Sequence, residues 1–266
     1  MPAGILANAL KEFELAIEDI ASSFEFVRAA ARLRPRLGDM LHWAILDVEA
    51  QRLATTFLQQ SAAQESLLYR GLVISLAGAF EQFVRRIIRD SVSAVGKAAA
   101  LYDNLHENLK RQNLYRTGIA LQTIFEPLDY LDLDYELLAK NIGTCFVGSK
   151  QPVLNAEAFA IFLSIISPDK LVDALERIHV KLQWDALGKV PELRNALEKK
   201  DTRETAKALQ EFLKRFGQTR NKIAHTGSSG IVVAETDFDQ LLKVFRVFSR
   251  ALTSVVEVEI AKLLKA

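Results

Sequence analysis

The sequence is short of the residues that usually announce a chemistry. It holds one cysteine, four histidines and six prolines among 266 residues. A lone thiol, Cys145, excludes an intrachain disulfide and a thiolate metal cluster. Its neighbours Ile142, Phe146 and Val147 mark it as a small core residue rather than a nucleophile, and such cysteine usage fits a reducing cytoplasm. No sign of charge dominates, with 34 Lys and Arg against 33 Asp and Glu. No global field therefore steers the chain to nucleic acid, and any such contact must come from a local patch. The longest apolar run, Gly71 to Phe80, falls short of the roughly 20 residues that span a bilayer. No basic region precedes an apolar one at the N-terminus, so a signal peptide is not expected. Internal repeats and low-complexity tracts are absent. The one β-like run is Ile231-Val232-Val233-Ala234.

What remains is helical spacing, in a chain 50% hydrophobic and 25% charged, which is ordinary for a globular protein with a large core. Leu6, Leu10, Phe13, Ile17, Ile20, Phe24 and Val27 recur at steps of three and four, which predicts an amphipathic helix over 4–33. Pro35 and Gly38 are expected to end it, and Asp39 to cap the next. Two helices follow to Val95, with a weak break around Ser61–Ser66. The second, about 66–95, is the most apolar element and is expected at the centre. Gly71 and Gly78 would let neighbours approach it, and Gly96 would close it. Further helices are expected over 103–126 (ended by Pro127), 134–147, 156–166, from Pro168 to about Val180, and from Pro191 to Lys200. Asp201 or Thr202 caps a long helix, and Asp237 caps the last. The reading is an all-α multi-helix bundle of eight to ten helices, a single domain over 1–266, with a long helical pair near each end.

Chemically capable side chains gather once, in Arg220-Asn221-Lys222-Ile223-Ala224-His225, followed by Thr226-Gly227-Ser228-Ser229-Gly230. On a regular helix Lys207, Glu211, Lys214, Gln218, Asn221 and His225 share one polar face. Arg220 instead continues the apolar row Leu209, Leu213, Phe216. A cation on a buried row needs a carboxylate or an interface, and Glu81, alone among apolar residues, is the candidate partner. The simpler alternative pairs Glu81 with Arg85 one turn on. At the helix end the macrodipole favours a charged His225, while Arg220 and Lys222 oppose it. The plain alternative for His225 is a C-terminal cap contacting the last carbonyls.

Histidine, arginine and an amide suit RNA cleavage by the 2′-hydroxyl. That reaction needs proton transfer and a cation for the phosphate charge, and no metal or cofactor. One histidine is a thin supply for both acid and base, and a two-fold dimer would double it. Lys214, Arg215, Arg220 and Lys222 make a local basic patch. Arg85, Arg86 and Arg89 make a second, and Lys110, Arg111 and Arg116 a third. Each serves either as a solvated face or as a phosphate track. A second Arg-to-His spacing, Arg36 to His42, is split by Gly38 and Asp39 and is taken as accidental.

The stretch Arg220 to His225 resembles the Arg-x(4–6)-His signature of HEPN domains, including the polar residue after the arginine. The segment Leu72 to Arg89, with Glu81, is similar to the HEPN helix that carries an acidic residue near the active site. The long separation between them looks most like the RiboL-PSP subgroup, with a HEPN-like core of about 64–95 plus 200–262 and a helical insertion of about 97–200. The resemblance implies a helical bundle and a homodimer through the Arg-x4-His face. It also implies metal-independent endoribonuclease activity on RNA, including transfer RNA, in toxin–antitoxin or anti-phage systems, with an antitoxin or defence-complex protein as further partner. Carried over by residue, Arg220 and His225 would be catalytic, Asn221 supporting and Glu81 orienting Arg220, with Lys214, Arg215, Lys222 and Arg85 on the RNA. Some HEPN domains are non-catalytic scaffolds or nucleotide binders, which is the competing expectation. Membrane attachment is not expected, and a cytoplasmic location is.

Overall fold

Long amphipathic helices form where apolar residues recur every three or four positions, and four of them organise this chain. The structure is a computed structural model that describes residues 4–41, 47–59, 62–125, 133–146, 152–161, 167–226 and 231–264. In order the elements are α1 (Ala7–Leu41), α2 (Val48–Leu58), α3 (Ala62–Ala98), a 3-10 turn (Tyr102–Asn104), α4 (Glu107–Gln122), α5 (Tyr135–Phe146) and α6 (Ala156–Ala160). Then come α7 (Pro168–Glu176), α8 (Trp184–Gly188), α9 (Pro191–Leu197), α10 (Thr202–Thr226) and α11 (Glu235–Leu263). The fold is all-α. Eleven α-helices appear among the described residues, slightly more than the spacing predicts, because 181–190 and its flanks resolve into short separate helices.

The most apolar helix is central, as expected. α3 buries Val73, Leu76, Phe80, Val84, Ile87 and Ile88 completely. Phe13 of α1 stacks on Phe83 with ring centroids 4.7 Å apart, and Phe80 meets Phe245 and Phe248 of α11 at 5.1 and 5.7 Å. Phe24 packs on Phe238 at 5.0 Å, which joins α1 to the first turns of α11. Aromatic pairs of this kind add about 0.5–1.5 kcal/mol each beyond the area they bury. By length and composition α3 is the one described helix able to cross a membrane; here its apolar face is spent on α1, α6, α10 and α11.

Several boundaries differ from the sequence reading. α1 does not stop at Pro35 or Gly38, and Asp39 lies inside it rather than capping a successor. An internal proline costs about 3 kcal/mol, and the turns around it are held from outside: Arg32 pairs with Glu235 at 3.1 Å, and Arg34 with Glu65. The next cap is Asp47, whose carboxylate accepts the Ala50 N–H at 2.8 Å. Gly96 does not close α3, which runs to Ala98. A Cβ at Gly96 would sit 3.3 Å from Leu154, so this glycine serves the approach of the 152–155 segment. Gly71 and Gly78 are not close-approach positions, since a Cβ at either would meet nothing within 4 Å. Asp237 does not begin α11; it lies two residues inside and accepts the Ala234 N–H at 3.3 Å. The β-like run 231–234 forms no strand, and Val232 there is 77% exposed. Pro127, His42, and the glycine-serine stretch 227–230 fall outside the described residues.

The middle of the chain is organised by a buried amide. The Asn155 backbone N–H donates to Asn113 Oδ1 at 3.0 Å, and its side-chain NH2 donates to Thr117 Oγ1 and to Leu138 O, both at 2.9 Å. Asn141 donates to its Oδ1 at 3.0 Å. One side chain thus ties α4, α5 and the lead into α6. Buried polar groups are kept only when paired, and here the pairing fixes the register of three elements. Cys145 is buried beside this network, with the Asn113 amide 3.7 Å from its sulfur. Burial pushes its thiol up from the ordinary range, as suits a core cysteine.

Candidate active site at the end of α10

The local sequence explains why α10 carries the motif where it does. Asp201 accepts the Glu204 N–H at 2.9 Å and starts the helix as expected. Gly188 lets the start of α10 press on α8, since a Cβ there would meet the Thr202 carbonyl. From there one row, Leu209, Leu213 and Phe216, is buried. Phe216 and Phe212 close on Phe245 of α11 at 4.8 and 5.6 Å.

The two faces of the helix are as its periodicity predicts. Lys207, Glu211, Lys214, Gln218, Asn221 and His225 are all exposed, and Arg220 ends the buried row half-buried. Its guanidinium does not continue into the core. Arg220 Nη1 donates to Asn221 Oδ1 at 3.1 Å, which draws the charge round the helix toward the exposed face. Asn221 precedes His225 by four residues, one turn of helix. Arg220, Asn221 and His225 therefore all lie in the last turns of α10.

Glu81 does not join them in this chain. It is half-buried on α3, and among the described residues no ion pair engages its carboxylate. The side chain bonded to Arg220 is Asn221. Arg85 is half-buried on α3, four residues after Glu81.

The basic patches divide by use. Arg86 pairs with Glu12 and Asp90, each at 3.4 Å, and Arg89 pairs with Glu157 at 3.1 Å. Lys110 binds Glu107 at 2.8 Å, and Arg116 lies 5.1 Å over the Tyr115 ring. Lys214 and Arg215 are exposed on α10 and form no ion pair among the described residues, and Lys222 is exposed on the motif turn itself. Lys214 and Arg215 thus stay open to an anionic ligand on the helix that carries Arg220 and His225. Among the described residues no group of three His, Cys, Asp or Glu side chains is placed to hold a metal ion.

Two features escaped the sequence reading. Glu235, the first residue of α11, binds Arg28 and Arg32 of α1 at 2.6 and 3.1 Å. An acid in the first turn of a helix is a legible signal, but its partners two hundred residues upstream are not. His106 and His179 stack with ring centroids 3.6 Å apart and an interplanar angle of 23°. His106 Nδ1 also accepts the Asn108 N–H at 3.2 Å and so caps α4, while His179, three residues past the end of α7, has φ 60°. Burial first, then His106 and Lys181, push His179 down from its ordinary value.

The sequence profile described as RiboL-PSP-HEPN matches residues 41–258, a span that runs through the middle region as well as the two ends of the expected core. No curated protein and no solved structure matches the chain.

Proposed function

The chain belongs to the RiboL-PSP-HEPN family, and from that premise we propose that it is a metal-independent endoribonuclease. What supports the reading is that Arg220, Asn221 and His225 share the last turns of α10, with Arg220 donating to Asn221 at 3.1 Å. RNA supplies its own nucleophile. The 2′-hydroxyl attacks the adjacent phosphorus and loses its proton to a base, the 5′-oxygen leaves and takes a proton from an acid, and a 2′,3′-cyclic phosphate remains. His225 serves proton transfer. Arg220 stabilises the charge that builds on the phosphate oxygens, in the planar two-pronged geometry that phosphate favours. Asn221 holds that guanidinium in place. Lys214, Arg215 and Lys222 line the RNA backbone on the same helix, and Arg85 is a further phosphate contact from α3. Glu81 is an accessory carboxylate.

One chain offers one histidine at this site. A second copy, facing the first through the α10 ends, supplies the complementary acid or base. Structured RNA, transfer RNA included, is the substrate class. Such an activity suits a toxin or effector of a toxin–antitoxin or anti-phage system, acting in the cytoplasm and restrained by an antitoxin or defence-complex partner. RNA cleaved in excess chelator, with cyclic-phosphate ends on the upstream fragments, is the expected result. RNA or nucleotide binding without cleavage by a folded protein would overturn it in favour of a non-catalytic subunit.

A further inference from the structure

We infer that Arg28 and Arg32 of α1, through Glu235, are positioning residues for the Arg220–His225 site. The inference rests on the ribonuclease reading above and adds to it an element that the family match does not include. The matched span begins at residue 41, where α1 ends, so almost the whole of α1 precedes it.

The last turn of α10 has little apolar anchorage. Asn221, Lys222, Ala224 and His225 are exposed, and only Ile223 leans on the core. A turn so weakly buried takes its position partly from where the chain returns. That return is held at three points. Ser66 Oγ donates to Ile231 O at 3.3 Å, Ala234 N–H donates to Asp237 at 3.3 Å, and Glu235 Oε1 receives both Arg28 Nε at 2.6 Å and Arg32 Nη2 at 3.1 Å. The Arg28 contact is an ion pair without hydrogen-bond alignment. Glu25 bonds the other end of the same guanidinium at 3.1 Å and steadies it.

The packing of α1 does not require these charges. Phe13, Ile17 and Phe24 already bury it on α3 and α11. The arginines do something separate: they pin the residue at which the chain re-enters the bundle, ten positions after His225. A displacement of about 1 Å at a catalytic group costs on the order of a hundredfold in rate, so a pin at this distance from the chemistry acts on turnover more than on binding.

The test is a charge exchange on the full chain, with Arg28→Glu plus Arg32→Glu, Glu235→Arg alone, and all three together. The apolar packing of Phe13, Ile17 and Phe24 holds α1 without these charges, and circular dichroism and thermal unfolding of each variant check that it folds. Two readouts are taken: kcat and KM for RNA cleavage, and hydrogen exchange of the amides from Ile231 to Phe238. The first two variants lose about 10- to 100-fold in kcat with KM within about twofold, and exchange over 231–238 accelerates. The triple variant recovers both. Unchanged kcat or unchanged exchange in the first two variants, or no recovery in the third, overturns the inference. Should the wild-type chain fail to cleave RNA, the ribonuclease reading falls by itself, and the exchange data still decide whether the pin exists.

Discussion

Arg220 and Asn221, adjacent in sequence, belong to different faces of α10, and a 3.1 Å hydrogen bond from the guanidinium to Asn221 Oδ1 joins the faces. The arginine arises from the row that buries Leu209, Leu213 and Phe216, yet its charge is held by Asn221 on the exposed face that also carries His225. Asn221→Ala should therefore lower kcat by about tenfold or more, the value of one hydrogen bond to a charged group, with the fold intact by circular dichroism. Arg220→Lys should not restore an Arg220→Ala loss, because an ammonium lacks the planar fork. Equal activity of the lysine variant and wild type would remove the fork from the mechanism.

The glycines of α3 and α8 make opposite predictions. Gly78→Ala meets open space in an exposed helix interior and should stabilise the protein by about 0.5–1 kcal/mol. Gly188→Ala drives a methyl into the Thr202 carbonyl and the start of α10 and should destabilise by about 1–3 kcal/mol. Urea denaturation of both variants checks the pair.

Asn155→Ala removes the amide that serves Thr117, Leu138 and Asn141 and leaves their polar atoms buried. A loss of about 3 kcal/mol is expected, measured by equilibrium unfolding. A loss below about 1 kcal/mol would mean that water replaces the amide without cost.

The stacked histidines give the protein an acid limit. His179 is pushed down in the folded state, chiefly by burial, from an ordinary value of 6.5. As pH falls below that value the unfolded chain takes a proton that the folded chain resists, so the unfolded state binds more protons and stability drops. The contribution is full above the ordinary histidine range and is lost as pH descends toward the lowered value. His179→Asn keeps a residue that tolerates φ 60° and should flatten this slope in unfolding free energy between pH 7.5 and 5.

The outline of the fold was legible because helices write their buried faces into the sequence at steps of three and four. α3 as the central helix, Asp201 as a cap and the exposed stripe from Lys207 to His225 all follow from that period. Contacts between distant helices leave no such trace. Glu81 looked like the partner of Arg220 because both sit among apolar residues; among the described residues no ion pair joins them, and Arg220 bonds Asn221. Gly71 and Gly78 looked like packing glycines on an apolar helix, yet the period did not say that they occupy its outward side. Pro35 looked like a stop, and α1 passes through it in a stretch where arginines find Glu65 and Glu235 on other helices.

The proposed reaction stands on His225, and the most direct measurement is single-turnover cleavage of a structured RNA in excess chelator by wild-type protein and by His225→Ala. The substitution lies on an exposed turn and should leave the unfolding curve unchanged. The account predicts a rate about 10²- to 10⁴-fold lower for the variant, the share that a positioned acid or base supplies, with RNA affinity retained. Equal cleavage rates for the two proteins would contradict it.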